Sequence, residues 1–345
     1  LMSPSAAQMT LWTAACLLRV WGYPFHLSIP DDPGLSSLIL SPAIGWGLFI
    51  RLVSINDGLL PGASWAPPLA AATMAVGGFL AWSCKTPRSV LSWIEMESAG
   101  AILLVASLVG EGAVGVIVAG SVTWVLAVTA LALTGGLQRE APWWSIPAAV
   151  GALALLGAPV TLGFLPQAAL LGLLAEEALL GLGIAFFLGN LFLIPALGRW
   201  LLSSPASPLP DNVWSLAGRV IGTGLPALLL VAAGLLPSLL VGVPSLTLAQ
   251  SFALPGLAGW LLWAVSLTCG GGLAWQDRNV RPRIELPLDL AHSLVRLDWL
   301  YGAAARALER GLSLLRAADE VVSGAGALLW SWVLFLLILL VWGSL

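Results

Sequence analysis

The chain has 345 residues, of which 59% are hydrophobic and 9% charged, with a net charge of −3 and a mean hydropathy of +0.96. Its 14 basic and 17 acidic side chains cannot clothe a soluble 35.8 kDa globule, where about a quarter of residues are charged, so a single-core soluble enzyme is excluded. A pI near 5.4 leaves no basic footprint for nucleic acid, and the composition predicts an all-α integral membrane protein whose solvent is the lipid bilayer.

A hydrocarbon core about 30 Å thick needs roughly 20 apolar residues per helix. About ten such stretches follow one another: 5–23, 36–55, 66–84, 92–110, 113–135, 146–174, 177–200, 217–243, 253–275 and 325–343. Turn formers separate them, among them Pro30 to Gly34, Pro61-Gly62, Pro205 to Pro210 and Pro244. The opening residues carry no basic leader ahead of the first apolar stretch, so no secretory signal is expected there. Cys16, Cys84 and Cys269 have no metal-ligand spacing and read as apolar filler. Most of the 18 tryptophans fall near span ends, the usual interfacial belt, whereas Trp46 and Trp124 lie deeper and read as packing residues.

Numbering the links alternately puts Lys85, Arg88, Arg139, Arg199, Arg219, Arg278, Arg281 and Arg283 on one side and only Arg51 on the other. Cytoplasmic links carry the excess of basic residues, so the first side is expected to be the cytoplasm of a bacterial-type inner membrane, with both termini outward. Asp57, Glu111, Glu176 and Glu177 then face out. Between the ninth and tenth spans, Leu290, Leu294, Leu297, Tyr301, Ala304, Leu308, Leu312 and Leu315 recur at helical spacing from Leu286 to Glu320. Arg296, Arg306, Arg310, Arg316, Asp289, Glu309 and Glu320 lie largely off that stripe, which predicts one amphipathic lateral helix on the cytoplasmic surface. It either covers its own bundle or braces a neighbouring subunit. The expected division is a bundle over 1–275, the lateral segment over 276–324 and a final anchor helix over 325–345.

Polar residues inside the spans are few: Arg19, Glu95, Glu97, Gln167 and Asn190. Ionisable groups at membrane depth are candidates for function by default. Glu95 and Glu97, two apart, face different sides of a helix, and a structural ion pair between one of them and Arg19 is the simpler expectation. Gly157-Ala158-Pro159 followed by Gly163-Phe164 and Pro166 interrupts a long apolar run, as in a broken helix whose freed backbone groups are satisfied by protein or a polar cavity; a plain proline kink is the alternative.

The order of short motifs adds to this. Arg19 five positions before Pro24-Phe25-His26, then Pro30-Asp31, the link Lys85-Thr86-Pro87-Arg88-Ser89, and Gly157-Ala158-Pro159 to Gly163-Phe164 together resemble the antiporter-like subunits of respiratory complex I, multisubunit sodium/proton antiporters of the Mrp type and membrane-bound hydrogenases. The amphipathic segment followed by a last span is similar to the end of the distal complex I subunit. The resemblance covers essentially the whole chain but starts at the family's seventh span. It implies a membrane subunit held by other membrane subunits, with Arg19, His26, Glu95, Glu97 and Gln167 as ion-path candidates and Gly157, Pro159, Gly163 and Pro166 as the broken helix.

The family's proton path uses lysines and a glutamate, and lysine suits this because burial lowers its pKa while arginine keeps its proton. Where the resemblance implies a seventh-span lysine this chain has Arg19; at the eighth-span position Leu40, Ser41 and Pro42; in the polar eleventh span Gly120 to Val125; and after Gly163-Phe164 the neutral Gln167. The expectation is therefore a structural or assembly subunit with a degenerate proton path in a complex I-type NADH:quinone oxidoreductase or related complex. An active proton or cation translocation subunit completed by partner chains, and an unrelated secondary transporter, are the alternatives; no internal repeat speaks for the last. The sequence has no nucleotide loop, haem-ligand pair or iron–sulfur cysteine set, so no cofactor, metal or catalytic redox residue is expected in this chain.

Overall fold

The computed structural model describes residues 6–20, 22–26, 29, 34–56, 65–109, 112–137, 141–176, 179–203, 212–240, 248–323 and 325–343. Within them every regular element is a helix and no strand occurs. Pro30, Pro61-Gly62, Pro205 to Pro210, Pro244, Arg139, Asp57, Glu111 and Glu177 lie outside the described residues. The chain divides into a compact unit over residues 1–292 and a second over 293–345.

The first unit contains α1 (Ala6–Arg19), α2 (Leu35–Ile55), α3 (Ala66–Ser83), α4 (Pro87–Val109), α5 (Ala113–Thr134), α6 (Ile146–Leu155), α7 (Phe164–Glu176), α8 (Leu180–Ser203), α9 (Val213–Leu235), α10 (Leu248–Ala253) and α11 (Gly256–Val280), and most of α12 (Glu285–Val295). Local signals explain several boundaries. Asn212 caps α9 by accepting a hydrogen bond from the Trp214 amide at 3.0 Å, and prolines open α3 and α6, where a missing N–H costs nothing.

Among the described residues six helices are long and apolar enough to cross a membrane: Ser36–Ile55, Ser89–Val109, Ala113–Thr134, Leu180–Leu202, Val213–Leu235 and Gly256–Arg283. The expected ten stretches all carry helix, but four fall short of that standard in different ways. α1 has only 14 residues, and α3, at 18, is diluted by Pro67, Pro68, Gly77 and Gly78. The 146–174 stretch is divided into the short α6 and α7, and the last stretch ends in the shorter apolar run Leu328–Gly343.

α4 is the hub of the first unit, with 94% of its apolar window buried against 17% for Gly256–Arg283. It packs on α3, α5, α7 and α8. Its approach to α3 is backbone to backbone: a methyl group at Gly77 would strike the Glu97 amide nitrogen and one at Gly100 that of Met74. Small residues at such crossings let dispersion replace the hydrophobic drive that lipid does not supply. The apolar core around this crossing includes Val20, Trp46, Phe49, Met74, Leu104, Ile117 and Phe186, all buried. Polar residues placed on α4 are thereby carried into the interior.

The predicted single lateral helix is two helices. α12 ends at Val295 and α13 (Asp298–Ser323) begins after Leu297, whose φ of 60° breaks the ladder. Asp298 starts α13 and pairs with Arg296 at 3.2 Å, an acidic residue at the end of a helix that favours it. The leucine stripe is not the buried face of α12: Leu290 and Leu294 are 63% and 53% exposed, while Leu288 is 6% exposed. Leu288 is the buried side chain, and Glu285, Asp289 and His292 lie along the same side of the helix without being buried, where Lys85 and Ser83 supply polar partners. In the second unit α13 and α14 (Ala325–Gly343) pack on each other, and α14 is apolar on all sides, so its exposed leucines, phenylalanine and tryptophans suit lipid or another apolar surface.

Candidate functional site: the helix break and the carboxylate of α4

α6 and α7 are two halves of one apolar run, interrupted over residues 156–163. Gly157 takes φ of 62°, a left-handed conformation that a side chain resists, and a methyl group there would meet the Gln167 side chain. Pro159 follows, without an amide hydrogen to donate, and Val160 holds a strained φ of 73°. The freed backbone groups are met by protein. The Leu162 amide donates to the Leu230 carbonyl of α9 at 2.9 Å, the Ala158 amide to Leu153 O at 2.9 Å, and the Trp263 indole of α11 donates to Leu156 O at 3.4 Å. Gly163 packs directly on the Ala154 carbonyl, where a side chain has no room.

Beside this break lies a cavity of about 40 Å³ between α4, α5, α6 and α7. Its polar walls are Glu97 and Ser98 from α4, Thr123 and Trp124 from α5 and Gln167 from α7, with Gly163 and Pro166 completing the turn into α7. Glu97 is 3%, Trp124 1% and Gln167 8% exposed. The contacts among these groups are sparse: Ser98 Oγ donates to Glu97 Oε2 at 3.5 Å, Thr123 spends its hydroxyl hydrogen on Ala119 O at 2.8 Å, and Trp124 Nε1 is buried without an acceptor among the described residues. Polar atoms held this loosely in a buried wall are uncommon in structural cores.

The chain is similar to a chain in the structure of the membrane-bound sulfane sulfur reductase (MBS), an archaeal respiratory membrane complex. The likeness has a TM-score of 0.62 at 19% identity and covers 96% of this chain and 68% of that one. What it establishes is the fold. No family model matches the sequence, and no curated protein matches it.

The other sequence candidates are distributed differently. Glu95 is fully buried on α4, does not line the cavity, and has neither carboxylate oxygen hydrogen bonded among the described residues; Ser92 Oγ, one turn before it, is equally unpaired. Arg19 is the last residue of α1 and is exposed, with its Cβ against Gly45 of α2, and no ion pair to Glu95 or Glu97 is formed. A cation at a helix C-terminus already meets the negative end of the helix dipole, which explains its position without an acidic partner. His26 is buried, stacks on Tyr23 with ring centres 5.4 Å apart and meets the edge of Trp93 at 5.7 Å. Asn190 turns its amide onto Phe186 O of its own helix at 3.1 Å. Trp124, read from sequence as a deep packing residue, is buried and also lines the cavity; that its indole nitrogen lacks a partner among the described residues was not legible, since burial and satisfaction of an indole are separate properties.

A second polar cluster was not anticipated. The last turn of α3 and the link after it present four successive carbonyls, and two arginines meet all of them. Arg199 of α8 donates to Ala81 O at 2.9 Å and Trp82 O at 2.7 Å; Arg281 donates to Ser83 O at 2.9 Å and Cys84 O at 2.8 Å. Asp277 accepts from Trp82 Nε1 at 2.8 Å, Lys85 Nζ reaches Asp289 at 2.6 Å and Glu285 at 3.1 Å, and Ser83 Oγ lies 2.6 Å from His292 Nδ1. The hydrogen bonds to Asp289 and then Glu285 raise the Lys85 ammonium above its ordinary value of 10.5. The sequence carried a signal for this cluster in Asp277, Arg281, Glu285 and Asp289, which recur every four residues as one helical face.

Proposed function

We propose that the chain is an antiporter-like membrane subunit of an ion-translocating complex of the complex I and Mrp type, serving assembly rather than carrying a complete proton path. The observation that carries this reading is the fold likeness to a chain of a respiratory membrane complex over 96% of its length. The ordered sequence motifs and the neutral Gln167 at the helix break support it. In this reading the basic side, with Lys85, Arg199 and Arg281, faces the cytoplasm, both termini face outward, and residues 276–345 tie the bundle to neighbouring membrane subunits. Purification in mild detergent is expected to recover other membrane subunits of such a complex; a homodimer alone would point to the secondary-transporter reading.

One observation favours a second reading, an active translocation subunit: Glu97 and Gln167 share one cavity at the helix break. Proton pumping by the reconstituted complex, normalised to assembled complex, separates the two. The assembly reading expects Gln167→Leu to leave pumping nearly unchanged, because an amide cannot ionise. A large loss per assembled complex moves the assignment to the active subunit. Cysteines introduced at Lys85 and Arg278 should stay unlabelled by membrane-impermeant reagent applied outside intact cells, and labelling at both reverses the orientation.

A further inference from the structure

α7, α8 and α11 enclose a groove of about 510 Å³ where α7 ends and α8 begins, against about 40 Å³ for the helix-break cavity. Two glycines shape it. A methyl group at Gly259 of α11 would meet the Leu171 carbonyl of α7 at 3.0 Å, so these two helices touch, whereas one at Gly183 of α8 would meet nothing within 4 Å. The wall therefore recedes at Gly183, among Leu171, Leu174, Ile184, Phe187 and Leu262. None of the eleven lining residues has a polar side chain, so water in the groove would forgo its hydrogen bonds. Leu180 and Ile184 on its rim are 79% and 51% exposed, which leaves it open to the surroundings.

Those surroundings are lipid, since α8 and α11 are long and apolar enough to span a bilayer. From the turn after Glu176 the groove runs along α8 from Leu180 to Phe187, a length of about 10 Å, which lies within the ~15 Å depth of one leaflet. A transmembrane helix about 10–12 Å across fills roughly 500 Å³ with each turn, so the groove would seat one turn and leave the rest outside. An acyl chain is thinner and follows the groove along its length, with its head group at the end where α7 stops. That end carries Glu176, exposed and in no ion pair among the described residues. Charge then selects the head group: an ammonium is drawn to this carboxylate, while a head group whose only charge is its phosphate is repelled. We propose that the groove binds an acyl chain of an amine-headed phospholipid, with the ammonium paired to Glu176. The proposal needs the membrane setting alone and does not depend on the assignment to a complex.

Photo-crosslinking tests it, using phosphatidylethanolamine and phosphatidylglycerol that carry the same diazirine in one acyl chain. Each probe is reconstituted with the full-length protein and the subunits it retains in mild detergent, and adducts are mapped by mass spectrometry. Phosphatidylethanolamine is expected to label residues 171–187 severalfold more than the exposed face of α9 around Leu228, and severalfold more than phosphatidylglycerol labels them. Equal labelling of groove and α9 face means passing annular lipid and overturns the site, as does equal labelling by the two head groups. An unlabelled groove overturns it in favour of a protein occupant. Gly183→Phe places a ring in the open space and should remove the groove adducts while leaving those on α9, and Glu176→Gln should bring the two probes close to level. Groove adducts that persist in the first variant, or an undiminished head-group preference in the second, also overturn it. The wild-type comparison requires no variant to fold, so it decides the matter alone if either is lost.

Discussion

The two polar clusters of the first unit are built on opposite principles. At the end of α3, four carbonyls, an indole N–H, a serine hydroxyl and a lysine ammonium each find a partner at 2.6–3.1 Å. At the helix break the backbone is satisfied while the side chains are not: Trp124 Nε1 has no acceptor among the described residues and Ser98 reaches Glu97 only at 3.5 Å. A fully paired network fixes one arrangement, and a loosely paired one beside a cavity leaves capacity for something else. The first cluster is therefore read as a clamp that sets where α8, α11 and α12 meet α3, and the second as the place where exchange with a ligand is chemically open.

The clamp should yield the largest effect. Arg199→Ala combined with Arg281→Ala strips partners from four part-buried carbonyls, and hydrogen bonds to charged donors contribute about 1.5–3 kcal/mol each. The double variant is expected to lose several degrees or more of thermal stability in detergent, with each single variant in between. An unchanged melting temperature would remove the contrast, since both clusters would then be equally dispensable.

The helix break should respond next. Gly157→Ala forces an alanine to φ of 62° and its methyl against Gln167, an expected cost of about 1–2 kcal/mol from the backbone alone. Alanine at Gly181, which has open space around it, is the control and should be silent. If the two variants unfold alike, residue 157 does not hold the break in shape.

How far the sequence reached differs between these regions for a physical reason. The break at Gly157 to Pro166 was legible because glycine and proline announce backbone geometry through their own covalent structure. That Glu95 and Glu97 face different surroundings followed from their two-residue spacing on a helix, whereas the burial of both depends on α4 being surrounded by other helices, which no local pattern encodes. Nothing local encoded that Arg19 stays clear of both carboxylates, since an ion pair depends on which helices become neighbours. The clamp joins residues nearly 200 positions apart, so its four-residue spacing could be seen while its target could not. The interruption at Leu297 was missed because an apolar stripe at helical spacing passes through a break unchanged.

A smaller effect is expected at Arg19. Arg19→Ala removes an exposed guanidinium from the end of α1, where interaction with the helix dipole contributes about 0.3–1 kcal/mol. Assembly and any pumping should be retained. A collapse of stability would mean that the guanidinium reaches a buried carboxylate in the protein's working state, and the contrast between paired and unpaired clusters would have to be redrawn around Glu95 or Glu97.

The smallest effect belongs to Lys85, although it is the most conspicuous ion pair in the clamp. Its partners Glu285 and Asp289 are 62% and 47% exposed, and pairs of this kind are screened by water and salt. The pH dependence has a definite sign. Because hydrogen bonding to Asp289 and Glu285 raises the lysine above 10.5, its contribution is fully present below that value and is lost as pH rises through the higher folded value. Lys85→Met should therefore leave the melting temperature at neutral pH almost unchanged, flatten whatever decline wild type shows on the alkaline side, and abolish a small dependence on salt. A pH dependence near neutrality that disappears in Lys85→Met would contradict this, and would assign the titrating role to His292, 2.6 Å from Ser83 on the adjoining turn, with the lysine acting only through it.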